Sequence, residues 1–159
     1  METTIENTTR TSSPNVARRL VRQGVLRLRC DETRRSPFGS SERRRRQRVP
    51  MRRVVYVTPV IMEGTTLRQP VQESASTVGY TSDVSMSGIA FTHDEPLLTK
   101  HAIVTFDLLD DDPVAFVIEI KWSDCRADRW YRSGGEFIGV TEPPGSLCRL
   151  PAGGPAMFN

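Results

Sequence analysis

The sequence predicts an all-β fold: a small, six-stranded antiparallel β-barrel behind a disordered or partly helical, basic N-terminal extension. Three observations carry that expectation. From Arg53 onward apolar and polar residues alternate at period two. Clusters of Gly, Pro, Asp and Ser divide the alternation into short runs. Short antiparallel strands in that number would leave open edges, and closing into a barrel removes them. A length of 159 residues, with 37% hydrophobic and 26% charged content, fits one globular domain with a tail.

The elements follow in order. Residues 1–14 are rich in Thr, Ser and Asn and offer too little apolar surface to offset the entropy of ordering. In residues 15–30, Val16, Leu20, Val21, Val25 and Leu26 approximate one helical face, and Pro14 suits a first helical position. Gly24 interrupts that face, so marginal helicity is expected. Residues 31–43 read as a linker, with Ser36-Pro37 and Gly39-Ser40-Ser41. The first strand is Val54-Val55-Tyr56-Val57, and Pro59 assigns it to an edge or a bulge, because proline donates no ladder hydrogen bond. Residues 76–82 and 88–92 are two further short strands. Val104, Phe106 and Leu108 share a face, Asp110 to Pro113 turns, and Phe116, Ile118, Ile120 and Trp122 share the core face of the returning strand. Residues 130–140 close the set, with a bulge or close backbone approach expected at Gly134 and Gly135. The chain thus divides into an extension over 1–41, a barrel over 42–140 and an irregular tail over 141–159.

The net charge of +3 conceals a division. Residues 1–53 carry 15 arginines against 5 acidic residues, net +10, and residues 54–159 carry 7 basic against 14 acidic residues, net −7. A polyanion is the natural partner for the basic end: nucleic acid, an anionic membrane surface or a phosphorylated nucleotide. No apolar stretch is long enough to span a bilayer, and the polar, acidic start does not read as a secretory signal. Cys30, Cys125 and Cys148 have neither zinc-site nor disulfide-framework spacing, so a reducing, cytoplasmic setting is expected, with no metal and no cofactor. Ser85, His93 and Asp83 lack the elbow that a hydrolase triad needs, and no phosphate-cradling loop or paired catalytic carboxylates occur, so the protein is not expected to be an enzyme.

Two motifs remain. The run Glu42-Arg43-Arg44-Arg45-Arg46-Gln47-Arg48-Val49-Pro50 precedes the first strand, and Asp83-Val84-Ser85-Met86-Ser87-Gly88 ends a later one. Guanidinium groups meet phosphates and guanine acceptor edges, whereas a carboxylate accepts from the guanine N1 and N2 donors. Glu42, Arg44, Arg48 and Pro50 followed by Asp83, Ser85 and Gly88, with Tyr131 to Gly139 as a closing strand, resemble the PilZ domain family of bacterial cyclic di-GMP receptors over residues 42 to 140.

That resemblance implies that Arg44 and Arg48 are the family's arginine pair, on a flexible segment that closes over a ligand on the barrel surface. Asp83 would accept from guanine, Ser85 would add a hydroxyl hydrogen bond, and Gly88 would permit a turn or a backbone approach. Arg43, immediately before the pair, goes in this family with two stacked nucleotides instead of one. The implied protein is a second-messenger receptor that changes conformation on binding cyclic di-GMP and signals to a protein partner, which nothing in the sequence identifies. The competing readings are a basic arm on a small barrel that binds RNA or DNA, and an adaptor of the same fold that acts through protein contacts alone. Arg45, Arg46, Arg52 and Arg53 read as solvated charge.

Overall fold

The computed structural model describes residues 14–35, 49–64, 66–68 and 76–144. It contains one helix, α1 (Pro14–Arg35), and eight strands: β1 (Val49–Pro50), β2 (Val54–Glu63), β3 (Thr66–Arg68), β4 (Thr77–Val84), β5 (Gly88–His93), β6 (His101–Phe106), β7 (Val114–Cys125) and β8 (Tyr131–Thr141). The fold is mostly β and antiparallel throughout. The pairings run β2–β4, β4–β5, β5–β8, β8–β7, β7–β6 and β6–β2, returning to their start. The two strands beyond the expected six are short additions, with β1 pairing with β4 and β3 with β2.

Each expected strand is present, and the period-two reading explains most of the interior. Val55 and Val57 of β2, Val104 and Phe106 of β6, and Phe116 and Ile118 of β7 are buried in one core cluster. Phe116 meets Phe106 edge-on at 5.9 Å between ring centres and Phe137 at 4.5 Å. Such pairs add to the gain from area burial alone. Pro59 lies between the residues of β2 that pair with β4, ending at Val57, and those that pair with β3, starting at Ile61. The proline thus occupies a gap in the ladder on one side of a strand that β6 covers on the other.

The helix departs from the sequence reading. Instead of a marginal helix followed by a linker from residue 31, α1 runs for 22 residues to Arg35 and docks on the sheet. Val21, Val25 and Leu28 enter the main core, whereas Val16, Leu20 and Leu26 are exposed. The buried face is therefore spaced i, i+4, i+7. Gly24, read as an interruption, lies at the contact: a Cβ there would come within 2.9 Å of the Phe116 ring.

A buried ion pair fixes the far end of α1. Asp31 accepts the Leu109 N–H at 3.0 Å and Arg35 Nε at 2.8 Å, and pairs with Arg53 Nη2 at 2.9 Å. Burial alone would raise the pKa of Asp31, but the Leu109 N–H and the Arg35 and Arg53 guanidiniums outweigh it and hold the carboxyl below its usual value. Arg53 was expected to be solvated. It is buried instead, paired with Asp31 of α1, donating also to the Asp107 carbonyl and standing 5.9 Å from the Phe106 ring centre.

The expected tail is described only to residue 144, and residues 142–144 have no regular secondary structure. Among the described residues no helix is long and apolar enough to cross a membrane, and no cluster of His, Cys, Asp or Glu has the form of a metal site. Cys30 and Cys125 are exposed free thiols.

Candidate functional site

Asp83, Ser85 and Gly88 come together where β4 turns into β5. Strand alternation over Thr77, Gly79 and Thr81, all buried, would point Asp83 inward as well. A bulge prevents this. Thr81 pairs with Phe91 and Asp83 with Ala90, leaving Ser82 as an extra residue. One inserted residue exchanges the two faces, so Val84 enters the core while Asp83 and Ser85 share the outer face.

The Ser85 side chain also builds the turn. Its Oγ accepts the Gly88 N–H at 3.1 Å and the Ser87 N–H at 3.3 Å, while the Ser85 N–H donates to the Gly88 carbonyl at 2.9 Å. Gly88 is required by proximity: a Cβ there would lie 2.4 Å from the Gly135 carbonyl oxygen. Of the two reasons for a glycine, the backbone approach is the one that applies, and the positive φ is not.

These residues line an outer-face hollow of about 390 Å3, within the usual range for ligand pockets. The rest of the wall comes from β7 and β8, and sequence reasoning missed it. Lys121, Trp122 and Glu136 face the same space. Here too a bulge decides. Ile120 pairs with Gly135 and Trp122 with Gly134, so Lys121 is the extra residue and Trp122, expected in the core, comes out to the surface with 38% of its area exposed. The glycine pair that signalled a bulge was the available clue, but nothing in the sequence showed that the inserted residue would fall on the opposite strand.

Lys121 pairs with Glu119 at 3.0 Å and Glu136 at 3.5 Å, and Lys100 reaches Glu119 at 3.1 Å. The hydrogen bond with Glu119 is the main reason the Lys121 pKa is raised, and those from Lys121 and Lys100 lower that of Glu119. The described lining of the hollow carries two carboxylates, Asp83 and Glu136, and one ammonium, Lys121. His93 takes no part in a triad with Ser85. It is fully buried, its Nδ1 lying 2.6 Å from the Glu95 carbonyl and its Nε2 2.7 Å from Ser133 Oγ.

Arg43, Arg44 and Arg48 lie outside the described residues, as do Arg45 and Arg46. The segment that follows them is described. Val49 stands opposite Val84 and Pro50 opposite Asp83. Met51 is buried in the core, and its N–H donates to the Ser82 carbonyl. The buried Thr81 hydroxyl donates to the Met51 carbonyl and accepts the Arg53 N–H at 2.9 Å.

The fold is a mostly antiparallel β domain with a polar hollow beside an Asp-x-Ser-x-x-Gly turn. The family model of the PilZ domain matches residues 42–147, two thirds of the chain, and the chain belongs to that family. PilZ domains are in general cyclic di-GMP receptors and not enzymes. Comparison with curated proteins and with solved structures gave no match.

Proposed function

We propose that this protein is a cyclic di-GMP receptor of the bacterial cytoplasm that binds the dinucleotide in the outer hollow and passes the signal to a protein partner. One observation carries the reading: β1 pairs with β4 at the motif itself, Pro50 opposite Asp83, and Arg48 is bonded to Val49. The two residues that follow the arginine run in the sequence thus pair with β4 at the Asp83 end of the hollow. The charge balance supports the same conclusion. Walls with two carboxylates and one paired ammonium would repel a phosphodiester, and the arginine pair is the complement they need.

In this reading Arg44 and Arg48 hold phosphates or guanine O6 and N7, Asp83 accepts from guanine N1 and N2, and Arg43 contacts a second, stacked nucleotide. Ser85 and Gly88 shape the turn. We take the ring of six paired strands as the small closed barrel, with residues 1–41, 42–140 and 141–159 as the working division. We count α1 with the folded unit, because its apolar face is part of the core.

Calorimetric titration with cyclic di-GMP, against GTP and single-stranded RNA, tests the reading. Hydrogen bonds to charged groups contribute about 1.5 to 3 kcal/mol, so Arg44→Ala, Arg48→Ala and Asp83→Ala should each weaken binding by roughly one to two orders of magnitude. Two nucleotides per protomer are expected, and fewer in Arg43→Leu. Tight RNA binding without cyclic di-GMP binding would establish the nucleic-acid reading instead, and binding of neither would leave the adaptor.

A further inference from the structure

The arginines of α1 divide into two groups. Toward the C-terminal end they are answered: Arg27 donates to the Asp112 carbonyl at 3.0 Å, Arg34 stands 3.8 Å from Asp110 and 3.9 Å from Asp111, and Arg35 pairs with Asp31 at 2.8 Å. Toward the N-terminal end they are not. Arg18, Arg19 and Arg22 are exposed, and no group among the described residues accepts from their side chains. Nor does the helix supply a carboxylate there, because α1 has no acidic residue before Asp31. This arrangement works against the helix itself. The N-terminus is the positive end of its dipole, and Arg18 and Arg22 stand one turn apart with like charge. An external anion would reverse both effects.

The same side of α1 is not wholly polar. Val16, Leu20 and Leu26 are 45%, 40% and 46% exposed. At the helical repeat they fall with Arg19 on the side opposite the docked Val25 and Leu28, and Arg18 and Arg22 flank them. Aliphatic side chains among arginines suit the boundary of a lipid bilayer, where the apolar groups enter the acyl edge and the guanidiniums stay with headgroup phosphates. Nucleic acid would meet the arginines and leave the aliphatic residues unmatched, and α1 has no aromatic ring on which a base could stack. We propose that the N-terminal half of α1 is a docking surface for an anionic phospholipid bilayer, on which the helix lies while its opposite face stays packed in the core. The helix is not long and apolar enough to cross, so it rests on the surface. The acidic turn Asp110 to Asp112, beside Arg27 and Arg34, bounds the surface at its other end. This goes beyond the proposed function, and its test needs no nucleotide.

The full chain is sedimented with vesicles of phosphatidylglycerol and phosphatidylcholine in equal parts, and with vesicles of phosphatidylcholine alone. The wild type should bind the anionic vesicles only, and salt should release it. An arginine at an anionic surface changes affinity about fivefold, so Arg18→Gln, Arg19→Gln and Arg22→Gln combined should bind roughly 100-fold more weakly. Leu20→Gln with Leu26→Gln should weaken binding about 3- to 10-fold. Arg126→Gln, exposed beyond the end of β7, should stay within about twofold of the wild type. All the substituted residues are exposed, and unchanged urea midpoints confirm that the variants fold. Failure of the wild type to bind anionic vesicles at low salt, equal binding to both kinds of vesicle, or undiminished binding by the triple arginine variant would overturn the surface. Vesicle binding indifferent to Leu20 and Leu26 would reduce the contact to counterion attraction and overturn the docked helix. Duplex DNA bound through the same three arginines in place of vesicles would overturn it in favour of a nucleic-acid surface.

Discussion

At Gly88 the main chain of β5 approaches β8 so closely that a single methyl group has nowhere to go. Its nearest neighbours would be backbone atoms of Gly135, at 2.4 and 3.4 Å, and backbone cannot rotate aside as a side chain can. Gly88→Ala should therefore destabilise the protein by about 1 to 3 kcal/mol in urea denaturation, the usual range for overpacking. Gly139→Ala, where a Cβ would meet nothing within 4 Å, should leave the midpoint nearly unchanged. Equal midpoints for the two variants would mean that the β5–β8 spacing is looser than described. The same scale shows what the sequence could reveal. The Asp-x-Ser-x-x-Gly spacing was legible because alternation puts Asp83 and Ser85 on one face and the turn closes at Gly88. The position of Trp122 was not, because period-two counting from Phe116 runs straight through Lys121 and an inserted residue leaves no mark in the alternation.

Among the elements, the paired part of the β6–β7 hairpin, His101–Phe106 against Val114–Glu119, follows its sequence pattern, and α1 is the one whose role the pattern concealed. Val16, Leu20 and Leu26 are as apolar as the residues that do the packing, so counting hydrophobic positions could not identify the docked face. Only the approach to Phe116 does so, and that approach needs Gly24, the residue that argued against a stable helix. The two faces make unequal predictions. Leu28 is fully buried and Leu26 is 46% exposed. Leu28→Ala should lose about 2 to 5 kcal/mol of stability, whereas Leu26→Ala should stay within about 0.5 kcal/mol. Urea denaturation measures both, and similar losses would show that α1 is not anchored through Leu28. The ion pair also links this helix to the site: Arg53, which holds Asp31, follows Arg48 by five residues, with the buried Met51 between them.

For the molecule as a whole, the groups buried on folding set how stability responds to pH. His93 is enclosed by β5, β8 and the chain after β5, stacked on Tyr131 at 5.7 Å. Burial lowers its pKa, and the opposing pull of the Glu95 carbonyl and Asp94 does not restore it. The Glu95 carbonyl can only accept, so Nδ1 carries the proton of the neutral ring and Nε2 accepts from Ser133, whose Oγ in turn lies 2.8 Å from that of Ser123. The unfolded chain takes up a proton near pH 6.5, and the folded protein resists doing so until a lower pH. The contribution of the neutral ring is thus fully present above pH 6.5 and is lost as pH falls from there through the folded value. His101, lowered first by burial, adds to the same window in the same direction. The Asp31 contribution is present above its unfolded value of 3.8 and is lost only below it, so the two losses are separate in pH. Urea-unfolding free energies should therefore begin to fall just below pH 6.5, with a slope of up to about 1.4 kcal/mol per pH unit for each histidine that resists protonation. His93→Gln, less stable at pH 7.5, should show a shallower decline between pH 6.5 and 5 than the wild type. An unchanged slope in that variant would assign the window to His101, and would mean that His93 is protonated without opening the sheet.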